Sequence, residues 1–78
     1  MFRKLVKTSK IEIDGRHYEL EFFEHETMRG GRRFSCEVVF GPADRIIIDG
    51  DSMSGLESRV ERLAPATVYS RLLAGRAA

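Results

Sequence analysis

The residues most able to do chemistry in this chain are two histidines, one cysteine and a dense run of acids, and each makes a geometric demand. His17, Glu19, Glu21 and His25 recur at even spacing. Residues two apart on a strand share a face, so imidazoles and carboxylates line up as a conceivable metal-ligand set. His17 and His25, however, stand about 26 Å apart along a flat strand at ~3.3 Å per residue, too far to hold one ion. Cys36 is the single cysteine. A nucleophilic thiolate needs a positive, partly exposed setting. Cys36 instead has the inward parity of an apolar alternation, and its expected cross-strand neighbour, Glu24, disfavours the thiolate. It reads as a small buried hydrophobe. No metal ligand and no catalytic residue is assigned.

Ile46-Ile47-Ile48-Asp49-Gly50-Asp51 places two acids at the end of an apolar strand, where metal and phosphate can be clamped together. The string is similar to the opening motif of haloacid-dehalogenase phosphatases. That family needs a parallel α/β sheet and further motifs downstream, and only 27 residues follow Asp51. Gly50-Asp51-Ser52 is similar to the nucleophile motif of GDSL hydrolases, whose histidine lies far C-terminal to the serine. Both histidines here precede it. The acids therefore read as a turn leading into a helix start, where Asp is favoured for local reasons. The chain is assigned to neither family, and no cofactor is implied.

Two further groups point to binding rather than reaction. Arg29, Arg32 and Arg33 surround Gly30-Gly31 at a hairpin tip, and a basic hairpin can track phosphates or enter a groove. Val6, Phe23, Val39 and Ile47 are apolar residues that fall on the outward parity, one per strand. Neighbouring strands would merge them into a patch of the kind that marks a protein interface.

The elements that must position these residues follow from turn chemistry and periodicity. Asp14-Gly15 between alternating runs marks a two-residue type I′ hairpin. The register that follows pairs Ile13 with Arg16, Ile11 with Tyr18, Lys10 with Glu19, Thr8 with Glu21 and Val6 with Phe23. Leu5, Ile11, Ile13, Tyr18, Leu20 and Phe22 then share one face. A three-residue loop, Arg29-Gly30-Gly31, keeps Phe34, Cys36, Val38 and Phe40 on that same face, because a one-residue slip would flip them all. It leaves Glu24 and Glu26 on the core face at the sheet's wet end. Gly41-Pro42-Ala43-Asp44 breaks the third strand, and in the fourth three successive isoleucines leave the register open: Ile46 and Ile48 can face inward with Ile47 outward. Ser54-x-x-Glu57 reads as a capping box. Met53, Leu56, Val60 and Leu63 repeat at helical spacing. Pro65 predicts a break, and Val68, Tyr69, Leu72 and Leu73 give a second helix an apolar side, stopped at Gly75.

The expected fold is thus a single α+β domain over residues 1–78, a four-stranded antiparallel meander (3–50) with a C-terminal helical segment (52–75), broken near Pro65, packed on one face. With 78 residues, 13 Lys+Arg against 12 Asp+Glu, and 42% hydrophobic content, the chain is neither a polycation nor a disordered tail. A domain this size hides only about 60–65% of its unfolded surface, so self-association is a natural source of added stability. One cysteine, no apolar core of a signal peptide in the first seven residues and no apolar run of membrane-spanning length point to the cytoplasm. The expected function is a non-catalytic interaction module. It dimerises or docks on a protein partner through the second sheet face, with nucleic-acid binding at the basic tip as the alternative.

Overall fold

The computed structural model describes the backbone of residues 3–77 and the side chains of residues 3–74; Met1 and Phe2, part of the N-terminal reading above, lie outside them. Strands β1 (Arg3–Ile13), β2 (Arg16–Glu26), β3 (Arg32–Gly41) and β4 (Asp44–Gly50) precede one helix, α1 (Met53–Ala77). The sheet order β1-β2-β3-β4 is the expected antiparallel meander. Asp14 and Gly15 both have positive φ, 55° and 82°, as the type I′ turn requires. From that turn the first hairpin keeps the expected pairs as far as Thr8↔Glu21.

Beyond Lys7 the register shifts. Lys7 lies opposite Phe22 and Leu5 opposite Phe23, with Val6 the extra residue of a β-bulge. The expected Val6–Phe23 pair is therefore not formed. The bulge moves Leu5 to the second face with Phe23, whereas Lys7 keeps its place opposite Phe22 on the helix face. Lys7 is accommodated there by snorkelling. Its Nζ lies 4.9 Å from the Phe22 ring centroid and 2.7 Å from Glu57 Oε2.

The second hairpin has an odd-length loop, but of five residues rather than three. Glu26 pairs with Arg32 and Phe22 with Cys36. Thr27 closes the longer loop: its N–H donates to the Gly31 carbonyl at 2.9 Å, its hydroxyl accepts from Gly31 N–H at 2.9 Å, and its carbonyl accepts from Gly30 N–H at 3.1 Å. Parity is unchanged, so the inward set is as expected, displaced by two residues. Glu24 faces Phe34 instead of Cys36, half-buried at the sheet's end with Arg32 Nε at 3.4 Å.

Helix α1 starts at a different cap and does not break. Ser52, not Ser54, holds the first turn, its Oγ accepting from Gly55 N–H at 3.1 Å and its carbonyl from Leu56 N–H at 2.9 Å. Glu57 is thereby released from any capping box to pair with Lys7. Pro65 lies inside a continuous helix, and Gly75 does not end it. Proline removes the bond to the Glu61 carbonyl and crowds it, but Glu61 is exposed, where water can solvate the freed group. The stripe Leu56, Val60, Ala64 and Val68 is buried on both sides of the proline, and this packing outweighs the local bias. The core cluster joins Leu20, Phe22, Cys36, Val38 and Ile48 to Leu56, Val60 and Ala64. Tyr69, Leu72 and Leu73, expected on the buried side, are exposed.

Candidate interaction surface

Only one face of the sheet is covered by α1. The other is built from cross-strand rows that the pairing defines. One row reads Leu5–Phe23–Ser35–Asp49, and the next Thr8–Glu21–Glu37–Ile47. Beyond them lie Arg3–His25–Arg33 at one end and Lys10–Glu19–Val39–Arg45 at the other.

The centre of this face is polar and ordered. Glu37 is 6% exposed although no helix lies over it. Arg3 Nη1 reaches its Oε2 at 2.7 Å, and Arg45 Nη1 reaches its Oε1 at 3.3 Å and Glu21 Oε1 at 3.0 Å. Two arginine side chains thus lie across the sheet and roof the carboxylate, and their charge compensates the burial. Arg3 also covers Phe23, its guanidinium 4.1 Å from the ring centroid, in a cation–π stack. Beside it, His25 Nε2 and Ser35 Oγ are 2.6 Å apart. No buried side-chain polar atom lacks a partner among the described residues.

The residues expected to form an apolar patch on this face have separate positions. Phe23 is 8% exposed and supports the surface from beneath Arg3 rather than presenting itself. Val39 is half-buried. Val6 sits in the bulge, exposed, and Leu5 beside it is exposed as well. Ile47 is the most open of the set at 62%, projecting from the edge strand next to Glu37. Leu5 was missed by sequence reasoning because an unbroken alternation assigns it to the core. The bulge that moves it has no mark stronger than the Leu5-Val6 doublet.

The basic tip is exposed at Arg29, Arg32 and Arg33, but its charge is partly spent within the chain. Arg32 meets Glu24 at 3.4 Å and Arg33 Nη1 meets Asp51 Oδ1 at 3.1 Å, whereas Arg29 has no ion pair among the described residues.

The groups weighed for catalysis are placed as follows. Cys36 is fully buried, and desolvation pushes its thiol up to about 11, with Glu37 and Glu21 adding to the shift. His17 lies 3.4 Å from Glu12 Oε2, at the far end of β2 from His25. No cluster of three potential metal ligands occurs among the described residues. At the other end of the molecule Arg71 grips Asp44 with two bonds of 2.7 and 2.6 Å. That contact holds the Asp44 carboxyl below its ordinary range and raises Arg71. The same guanidinium stacks 4.5 Å from the Phe40 centroid, so the pair clips the C-terminal half of α1 to the start of β4. No helix among the described residues is long and apolar enough to cross a membrane.

The fold and surface define an α+β domain with one covered and one open sheet face. No protein-family model matches the chain, and neither curated proteins nor solved structures yield a match.

Proposed function

We propose that this chain is a small non-catalytic interaction module whose open sheet face docks protein. The supporting observation is the face itself: four strands uncovered by the helix, with Leu5, Val39 and Ile47 arranged around a Glu37 already neutralised by Arg3 and Arg45. A preassembled ion-pair roof lowers the desolvation that docking requires, because the buried charge is paired before the partner arrives. The apolar positions flanking it supply area worth roughly 25 cal/mol per Å².

Gel filtration of tagged protein from its source cells tests the reading. Wild type is expected to migrate above its 8.9 kDa monomer mass. A Leu5→Lys/Val39→Lys variant should return to monomer mass with an unchanged far-ultraviolet CD spectrum. Phe23→Lys is unsuitable, since it places a charge beneath Arg3 and would unfold the face. Wild type migrating as a monomer refutes the proposal. A large complex that nuclease treatment dissolves would favour the tip Arg29, Arg32 and Arg33 as a nucleic-acid contact instead.

A further inference from the structure

We infer that β4 is a dimerisation edge, pairing antiparallel with β4 of a second copy to make a continuous eight-stranded sheet. The inference does not rest on the face-docking reading: it uses the backbone edge of β4 and shares with the open face only that strand's Arg45, Ile47 and Asp49.

The two edges of the sheet differ sharply. β1 carries Lys4, Lys7 and Lys10 and is interrupted by the bulge at Val6, the devices that keep a free edge from pairing. β4 has neither. Its pairing with β3 runs without a shift from Arg45 to Gly50. It contains no lysine and no proline, and three successive isoleucines form its centre. Along its outer side no backbone group has a hydrogen-bond partner among the described residues beyond the ladder to β3. An open, regular, apolar edge of this kind is a template for another strand.

The side chains select both occupant and register. Full antiparallel overlap of Asp44–Gly50 with itself places the two-fold axis at Ile47, the middle residue of the strand. Ile47 then meets Ile47 of the other copy, and Ile46 meets Ile48 on the helix side. Arg45 faces Asp49 of the other copy, and Asp49 faces its Arg45. Both charge pairs are complementary, and Asp49 has no ion pair within its own chain among the described residues. A one-residue slip sets Ile47 against Ile46 or Ile48 and loses both Arg45–Asp49 pairs, and a two-residue slip sets Ile47 against Arg45 or Asp49. Slipping further sets Arg45 against Arg45 or Asp49 against Asp49, which like charge disfavours. Opposed residues always share parity in the full-overlap register, so the ladder bonds can form in either phase. A self-complementary strand fits a second copy through an isologous contact. Because the two-fold stands normal to the sheet, both helices lie on one side and both open faces on the other.

Sedimentation velocity is the primary test. Wild type at tens of micromolar is expected to be dimeric. Asp49→Arg, which breaks no contact inside the chain, sets Arg45 against arginine twice over and should raise the dimer Kd about tenfold or more. Arg45→Glu should do the same by facing Asp49. An equimolar mixture of the two single variants should recover the dimer, since each mismatch is then cured by the other chain. Arg45→Glu also removes the contacts to Glu21 and Glu37, so Ile47→Cys provides a second measurement that does not depend on its folding. Under mild oxidation Ile47→Cys should form a 47–47 disulfide, with Cβ atoms opposed at ~4.5–5.5 Å, whereas Val39→Cys, inside the sheet, should not. Monomeric wild type, or a dimer indifferent to Asp49→Arg and crosslinked through Val39→Cys, overturns the edge proposal. The first result leaves face docking to its own test, and the second supports it.

Discussion

Replacing Gly50 by alanine measures how closely α1 is seated on the sheet. A Cβ at this position would lie 3.0 Å from Leu56 Cβ, 3.2 Å from Leu56 Cα and 3.3 Å from Leu56 N. Two of these atoms are backbone, so no side-chain rotation relieves the contact. The first turn of α1 must move by a few tenths of an ångström, and Leu56, which is fully buried, moves with it. Overpacking of this type costs about 1–3 kcal/mol. Gly50 is not among the positive-φ glycines, so alanine also stabilises by restricting the unfolded chain, by about 0.4–1 kcal/mol. The net expectation is a loss of about 1–2 kcal/mol, or a Tm lower by roughly 5–15 °C for a domain of this size. Two other glycines calibrate the result. Gly41→Ala meets nothing closer than Asp44 Cβ at 4.0 Å and should leave Tm unchanged or slightly raised. Gly15→Ala has open space but a φ of 82°, and should lose about 1–2 kcal/mol through backbone strain alone. Calorimetry on the three variants checks the ranking. A Gly50→Ala protein as stable as Gly41→Ala would refute the close seating of helix on sheet.

Phe22→Ala should cost roughly 3–5 kcal/mol, because Phe22 is almost wholly buried in the sheet–helix core; an unchanged urea midpoint would disprove the register. Cys36 should resist iodoacetamide at pH 8 until the chain is unfolded, and rapid labelling of folded protein would contradict its burial. Its titration also predicts a pH effect: the unfolded thiol ionises from about 9 while the folded one holds its proton to about 11. Stability is therefore full below that window and falls as pH rises through it, by at most about 1.4 kcal/mol per unit, and Cys36→Ala should abolish the decline. If Arg29, Arg32 and Arg33 contact duplex DNA, binding should weaken with salt by a slope of up to about −0.9 per contact, and serine at all three should remove it; no retention of oligonucleotide at low salt eliminates that role.

The parts of the fold legible in the sequence are those set by parity and by a strong turn. Asp14-Gly15 permits one register, and everything near it pairs as expected. Away from that turn, local signals compete on nearly equal terms. The second hairpin could close on Arg29-Gly30-Gly31 or on the wider Thr27 loop, and both keep Phe34, Cys36, Val38 and Phe40 inward. Parity cannot separate them; the hydroxyl of Thr27, bonding Gly31 N–H at 2.9 Å, does. Pro65 is a comparable case. Its local bias against the preceding helix turn is real, about 3 kcal/mol in an isolated interior position, yet Ala64 and Val68 are both buried. A stripe read without Ala64 looks interrupted; with it, Leu56, Val60, Ala64 and Val68 repeat at every fourth residue and span the proline.

The open face was harder to read, because its organisation depends on long-range charge rather than on apolar pattern. Glu37 lies between Cys36 and Val38 with the parity of a solvent position, and nothing in its neighbours marks it for burial. It is buried because Arg3, 34 residues away in sequence, and Arg45, eight away, both fold over it. Those distances close only once β1, β3 and β4 are aligned, with the β1 bulge fixing where Arg3 falls relative to Phe23. The same alignment turns Phe23 from an expected surface anchor into the floor beneath Arg3, and moves Leu5 outward. The surface left for a partner is thus a product of tertiary register. Its apolar residues border an ion-pair network already complete within the chain, and Ile47 stands where the open face meets the unprotected edge of β4.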